Sequence, residues 1–446
     1  MKINEEVASG IRVFESWTES QMAYSGQPGI SVAILKDQDI IWSKGFGYAD
    51  LKEEKKATPQ TIYRIASITK LFTSTAIMQL RDKGKLNIQD PITEHLPWFK
   101  IGKKKESPIT IENLITHTSG LPREAAGPYW TTVDFPTKEE IIETLPTQEH
   151  PLKPWRKWKY SNLALSLAGY IVEETSGKPY EGYLEENIFE PLKMHDTYIK
   201  DIPADHPRLA KGYGRRMPDL TREDSPYTSS RGINPAANMA TTVLDLAKFA
   251  MLQFREDNPV LDGETLREMH RVHWLAPSWD LGWGLGFNIL RIDGKTYHGH
   301  GGSVPGYRTN LRINLEDKIA VIVFTNAGDG DPVKYSEKAF KWIAPGLTQK
   351  HQDKQEIEFE RYTGKFRNRW SDLQIMEYNG ELIAIDPRSP EPLEDYTKME
   401  HIEGDMFKMI SSGYGNHNEY AIYEFEDEKI KRLKTGENYT YPVEEW

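Results

Sequence analysis

The chain has 446 residues, a formal net charge of −11, 38% hydrophobic and 11% aromatic residues, and no cysteine. That much apolar material supplies a core and excludes general disorder, while the missing thiols exclude disulfides, thiolate metal sites and cysteine nucleophiles. The opening MKINEEVASGIRVFESW lacks an apolar signal core, and no run of about 18 apolar residues occurs, so the expected location is the cytoplasm and no membrane is expected as a partner.

Residues 1–23 read as an amphipathic helix. From Pro28 to Asp50, the strand-like runs SVAIL and IIWSKGFG flank the turn-forming KDQD, which predicts a hairpin. Apolar residues at Ile68, Leu71, Phe72, Ala76, Ile77 and Leu80 have helical spacing, with Gly84 as the stop signal. Further helices are expected at 111–117, 137–144, 162–176 and 242–254, and strands at 286–292, 308–314 and 319–325. Strands at both ends of a helical middle argue for α+β packing.

Residues 351–446 carry 12 basic and 22 acidic side chains, against 44 and 45 in the first 350, and this asymmetry marks a change of module. The tail runs LQIMEYNG, ELIAIDP, DMFKMISSG, NEYAIYEFEDE and KIKRLKTG suggest a small β-barrel or sandwich. The expected division is a catalytic domain over 1–345, a linker over 346–357 and a barrel domain over 358–446. No basic patch is interleaved with aromatics, so no nucleic acid is expected, and the Lys103–Lys105 run reads as a solvated loop.

The chain has no G-x-S-x-G, H-E-x-x-H or G-x-x-x-x-G-K-[ST] motif. It does carry Ser67-Ile68-Thr69-Lys70, whose spacing places a hydroxyl and an amine on one helix face, one turn apart. A serine hydroxyl needs a nearby base, and lysine serves when burial or another cation lowers its pKa. In Tyr160-Ser161-Asn162, the phenol is a second candidate base, and Asn162 is suited to holding Lys70 and donating to a substrate carbonyl. A second Tyr-x-Asn, Tyr414-Gly415-Asn416, lies in a glycine-rich tail turn and reads as a loop. In His300-Gly301-Gly302-Ser303, the glycines let backbone approach a ligand, and the N–H that follows them can complete an oxyanion hole. His298 shares a strand face with His300, so spacing does not decide which one faces a site. A two-histidine metal site lacks a third ligand, and neither metal nor cofactor is expected.

Together these elements resemble the CubicO group of the serine β-lactamase-like superfamily, with class C β-lactamases and D-alanyl-D-alanine carboxypeptidases as cousins. The resemblance extends to YRIASITKLFTSTAIMQL, LITHTSGLP, WKYSNLALSLAGYIVEETSG, NPAANMATTVLDLAKF and GHGGSVPGY, and covers roughly residues 5–343. It implies an antiparallel sheet flanked by helices with a helical subdomain, followed by a lipocalin-like barrel. It further implies Ser67 as the acylated nucleophile, Lys70 as its proton partner, Tyr160 as the general base and Asn162 as a substrate contact. In the third motif it implies His300 as a further catalytic residue and Gly301 and Gly302 as substrate contacts, and the backbone N–H groups of Ser67 and Ser303 match the oxyanion hole. His117 and Gly120 belong to a loop-shaping motif. Two departures stand out. Ala237 and Asn238 replace usual glycines, and His300 replaces the lysine of penicillin-recognising relatives, which weakens the expectation of carboxylate recognition. The leading expectation is a serine peptidase acting on short peptides, as a homo-oligomer of the kind in which appended barrels enclose the active sites. An esterase or weak β-lactamase on the same residues is the first alternative, and a binding protein with an inactive pocket is the second.

Overall fold

The computed structural model describes residues 4–102, 108–348, 359–411, 417–444 and 446. The Lys103–Lys105 run, most of the expected linker and the second Tyr-x-Asn lie outside the described residues. The chain divides into two compact units that do not follow chain order: Pro28–Ser336, and Met1–Gln27 together with Glu337–Trp446.

Most of the first unit's strands form one antiparallel sheet. The expected hairpin is β1 (Gly29–Lys36) and β2 (Asp39–Asp50), with Lys36 paired to Asp39 across a turn in which Asp37 has φ 52°. β3 (Lys55–Lys56) borders β2, while β4 (Tyr63–Arg64) and β5 (Ala240–Thr241) form a separate pair. The remaining strands are β6 (Trp274–Leu275), β7 (Leu281–Trp283), β8 (Asn288–Ile292), β9 (Lys295–Val304), β10 (Tyr307–Asn314) and β11 (Ile319–Thr325). The sheet order is β3-β2-β1-β11-β10-β9-β8-β7-β6. GISVAILK and IAVIVFT pair at its centre, and their near-continuous burial explains why neither run alternates. β9 was not among the expected strands, because its HGHGGSV is poor in strand-forming residues.

The helix carrying the Ser-x-x-Lys pair is buried on every side. Labelled α2 (Thr69–Asp82), it follows a 3₁₀ turn over Ala66–Ile68 and has no exposed face from Thr69 to Leu80. Such a helix is central rather than amphipathic. Phe72 stacks on Phe249 at 4.1 Å, and burying a side chain of that size contributes about 2–3 kcal/mol. Two threonines of α2 place their hydroxyls on carbonyls: that of Thr75 donates to Leu71 at 2.8 Å, and that of Thr73 to Pro235 at 2.6 Å. Gly84, at φ 65°, ends the helix as expected. The helix Asn162–Ser176 packs against α2.

In the second unit, eight antiparallel strands close into a barrel, which resolves the expected barrel-or-sandwich. They are β12 (Gly364–Arg367), β13 (Asp372–Tyr378), β14 (Glu381–Ile385), β15 (Thr397–Glu403), β16 (Met406–Ile410), β17 (Tyr420–Glu426), β18 (Lys429–Thr435) and β19 (Asn438–Val443). Pairing of β12 with β19 removes the free edges. Phe366, Ile375, Leu382, Phe407 and Leu433 fill the interior. The amino-terminal helix α1 (Glu5–Ser25), capped by the Asn4 side chain, belongs to this unit. Its Ser16 hydroxyl donates to Gln374 at 2.8 Å, its Trp17 indole donates to the Ser389 carbonyl at 3.1 Å, and Glu19 pairs with Lys365 at 2.7 Å. Among the described residues, no helix is long and apolar enough to cross a membrane.

Candidate active site

Ser67 is partly exposed, whereas its neighbours Ala66, Ile68, Thr69 and Lys70 are buried. Its turn is strained, with Ala66 at φ 50°, a region unusual for a residue with a Cβ. Three bonds hold the turn: the Thr69 hydroxyl donates to the Ala66 carbonyl at 2.6 Å, the Ile65 N–H donates to the Met239 carbonyl at 2.8 Å, and the Met239 N–H donates to the Thr69 hydroxyl at 3.1 Å.

The three-residue spacing brings the Lys70 amine to 2.9 Å from the Ser67 hydroxyl oxygen. Asn162 does not hold that amine, contrary to the expectation from sequence. The second acceptor is the Ala236 carbonyl at 2.7 Å, and the Asn162 amide donates instead to Glu124 at 2.7 Å. Lys70 is fully buried, and burial lowers its pKa well below the usual lysine range; the Glu124 carboxylate opposes this shift and the Arg123 guanidinium adds to it. Burial thus favours the neutral form of the amine that lies against the serine, the form a proton acceptor needs.

Tyr160 completes the group from a different part of the chain. Its phenol adjoins the Ser67 hydroxyl, and the Lys70 amine lies 5.0 Å from its ring centre. Burial raises the phenol's pKa, and the neighbouring Ser67 hydroxyl partly offsets the rise. His117 sets the position of Tyr160. The two rings lie 4.3 Å apart, the Ser161 N–H donates to His117 Nδ1 at 3.1 Å, and the Lys159 N–H donates to the His117 carbonyl at 2.9 Å. His117 is at φ 60° and Gly120 at φ 72°, where a Cβ would meet the Leu152 carbonyl oxygen at 2.3 Å. Both residues shape the loop that carries Tyr160.

Of the two strand histidines, His300 faces this group. Its ring lies 6.1 Å from that of Tyr160 and edge-on to Trp283 at 5.7 Å, whereas His298 meets His270 at 4.7 Å. Burial, and next the charge of Lys70, push the pKa of His300 down to about 3, so it is neutral at physiological pH. Gly302 lets β9 cross the nucleophile turn, since a Cβ there would stand 2.1 Å from the Ile65 carbonyl oxygen. The Thr309 hydroxyl on β10 donates to the same oxygen at 3.1 Å. Gly301 is under no such constraint, and Ser303 follows on the same strand with its side chain exposed. Among the described residues, no three potential ligand side chains gather as a metal would require.

The sequence reading missed Arg123 and Glu124, which adjoin Asn162, and the aromatic wall of Trp158 and Trp283. Arg123 lies over the Tyr160 ring at 5.1 Å and 3.3 Å from Glu124, while Trp158 and Trp283 meet at 4.9 Å. The only available signal was a charged dipeptide directly after LITHTSGLP. Asn238, at a usual glycine position, is a hydrogen-bonding centre. Its amide donates to the Ile199 carbonyl at 2.8 Å, and its oxygen accepts from the Ser230 N–H at 3.2 Å.

Residues 14–343 match the Beta-lactamase family. The chain belongs to that family. PbpX of Bacillus subtilis (strain 168) is 30% identical over 308 residues, which are 69% of this chain and 71% of that protein. Other curated relatives are longer, and the chain spans only 45–60% of their length. Among solved structures, the octameric penicillin-binding protein homologue from Pyrococcus abyssi superposes with a TM-score of 0.69 at 26% identity, covering 96% of this chain and 99% of that one. The D-amino acid amidase from Ochrobactrum anthropi SV3 covers 76% of this chain and 98% of its own, with a TM-score of 0.63 at 26% identity. The fold and family are therefore those of serine hydrolases, amidases among them.

Proposed function

We propose that this chain hydrolyses short peptides or amino-acid amides through an acyl-enzyme on Ser67. The observation that carries the reading is the buried Lys70 amine at 2.9 Å from the Ser67 oxygen, its pKa driven down by burial, with the Tyr160 phenol beside the same serine. Attack forms the bond from Ser67 Oγ to the carbonyl carbon and breaks the serine O–H, whose proton passes to the Lys70 amine. The carbonyl electron pair moves to oxygen, where the N–H groups of Ser67 and Ser303 would hold the developing charge. On collapse, the C–N bond breaks. The leaving nitrogen takes the Tyr160 proton, and the phenol is reprotonated from Lys70. Water, deprotonated by the same pair, then releases the acyl group. Because burial keeps His300 uncharged, its position does not supply the fixed cation with which a lysine there would favour a substrate carboxylate. This supports amide substrates without a required free carboxylate over penicillin-like ones. The octameric solved relative, alike over nearly the whole chain, supports a homo-oligomer.

Ser67→Ala tests the reading. It is expected to abolish both hydrolysis of short peptides and labelling by a fluorophosphonate, with the circular dichroism spectrum unchanged. Full activity in that variant would remove the assignment.

A further inference from the structure

Beside the Ser67 group lies a small cluster of acceptors without donors. The Asn162 N–H donates to the Arg123 carbonyl at 2.8 Å, and the Asn162 amide donates to Glu124 Oε1 at 2.7 Å, so the two segments are pinned together. A carboxylate only accepts, so the amide must turn its NH₂ toward Glu124 and its oxygen away. Asn162 is only 4% exposed, yet that oxygen has no partner among the described residues, and neither has the buried Oε2 of Glu124. Tyr129 adjoins the carboxylate, but its hydroxyl donates to the Ala125 carbonyl at 2.9 Å, so its one proton is already engaged. Buried acceptors left without donors are costly and mark a place that a donor should fill. The protein's own cation is loosely held nearby: the Arg123 guanidinium spans from Glu124 to the face of Tyr160, and its side chain is 64% exposed.

Resting on the serine-hydrolase reading above, we infer that Glu124 and the Asn162 amide oxygen bind the free ammonium group of the substrate, with Arg123 swinging aside. The substrate class is then an amino-acid amide or short peptide with an unblocked amino terminus, cleaved after its first residue. An ammonium taking the place of the Arg123 guanidinium would lie between Glu124 and the Tyr160 ring, whose phenol adjoins the Ser67 hydroxyl.

The experiment uses the full chain with alanine p-nitroanilide of both hands, free and N-acetylated, and p-nitrophenyl acetate as an ester without an amino group. The free amine is expected to be preferred at least tenfold in kcat/KM. That preference should fade above about pH 8, where the α-ammonium loses its proton. Glu124→Gln is expected to cut the free-to-acetylated ratio at least fivefold, mainly through KM. Equal turnover of the two anilides overturns the inference. So does ester cleavage without cleavage of the free-amino anilide, or an unaltered ratio in a Glu124→Gln protein still labelled by fluorophosphonate. If Glu124→Gln does not fold, the wild-type ratio and its pH dependence decide alone. Absence of all turnover and labelling overturns the serine reading itself, and this inference with it.

Discussion

Two clusters in the Pro28–Ser336 unit bury basic side chains. Lys70 and His300 lie against Ser67 and Tyr160, whereas His298 and His270 lie against each other, with His270 Nε2 on the Gln253 side-chain oxygen at 3.0 Å. Burial drives all four pKa values down. The shift alone therefore does not distinguish a site from a core. Lys70 differs in having a partly exposed hydroxyl within hydrogen-bond reach and a phenol on the far side of it. At the His270–His298 pair, desolvation acts on stability, because no such hydroxyl is bonded to either ring among the described residues. The contrast predicts that acid affects the two clusters in separable ways.

The largest expected effect is at Lys70. The neutral amine is the reactive form, so kcat/KM should rise with pH through the lowered lysine pKa, level off, and fall about tenfold per pH unit on the acid side. Lys70→Arg keeps a positive charge at every accessible pH, and peptide hydrolysis is expected to drop roughly a thousandfold. A Lys70→Arg protein with wild-type kcat and an unchanged pH profile would reassign the base to Tyr160 alone.

Two adjacent glycines sharpen the view of how the site is held. The sequence placed Gly301 and Gly302 together as substrate contacts, but their surroundings differ. A Cβ on Gly302 would meet the Ile65 carbonyl oxygen and the Thr309 hydroxyl at 2.1 Å each, whereas one on Gly301 would come no closer than 3.6 Å to anything. Gly302→Ala must therefore push the strand off the Ser67 turn. The expected result is a fall in kcat of about tenfold to a hundredfold and a stability loss of about 1–3 kcal/mol. Gly301→Ala should fold and melt like the wild type. Steady-state kinetics and thermal melts of the two variants compare them directly, and equal effects would show that β9 is not what holds the turn.

The contrast between clusters also explains what the sequence made legible. Ser67 and Lys70 were readable because their meeting depends only on helical spacing. His117 against Tyr160, Asn162 against Glu124, and the Ala236 carbonyl against Lys70 are long-range pairings with no local period, so no pattern announces them. The same division holds in the barrel. Runs such as ELIAI are apolar and bounded by turn residues and were visible, whereas β12 (GKFR), β15 (TKMEHIE) and β19 (NYTYPV) are short, charged or interrupted by Pro442. Closure rests on two of these, joined by pairs such as Lys365 with Val443, so it became visible only in three dimensions. Sequence placed α1 with the residues that follow it, since nothing local couples Ser16 to Gln374 across more than 350 positions.

The smallest expected effect on catalysis belongs to the second cluster. In the folded chain, burial lowers the pKa of His298 to about 4, against an ordinary 6.5. Between those values the unfolded chain takes up a proton that the folded chain refuses, so the unfolded state binds more protons and stability drops as the pH is lowered. The contribution is fully present above pH 6.5 and is withdrawn as the pH drops toward 4, where about 3 kcal/mol is lost at roughly 1.4 kcal/mol per pKa unit. His298→Gln removes the titration, so the difference in melting temperature between pH 7 and pH 4.5 should shrink. The acid limb of kcat/KM, set by Lys70, should keep its position. If His298→Gln moved the kinetic limb and left the melting difference as in the wild type, the two clusters would be one coupled system and the separation drawn here would fail.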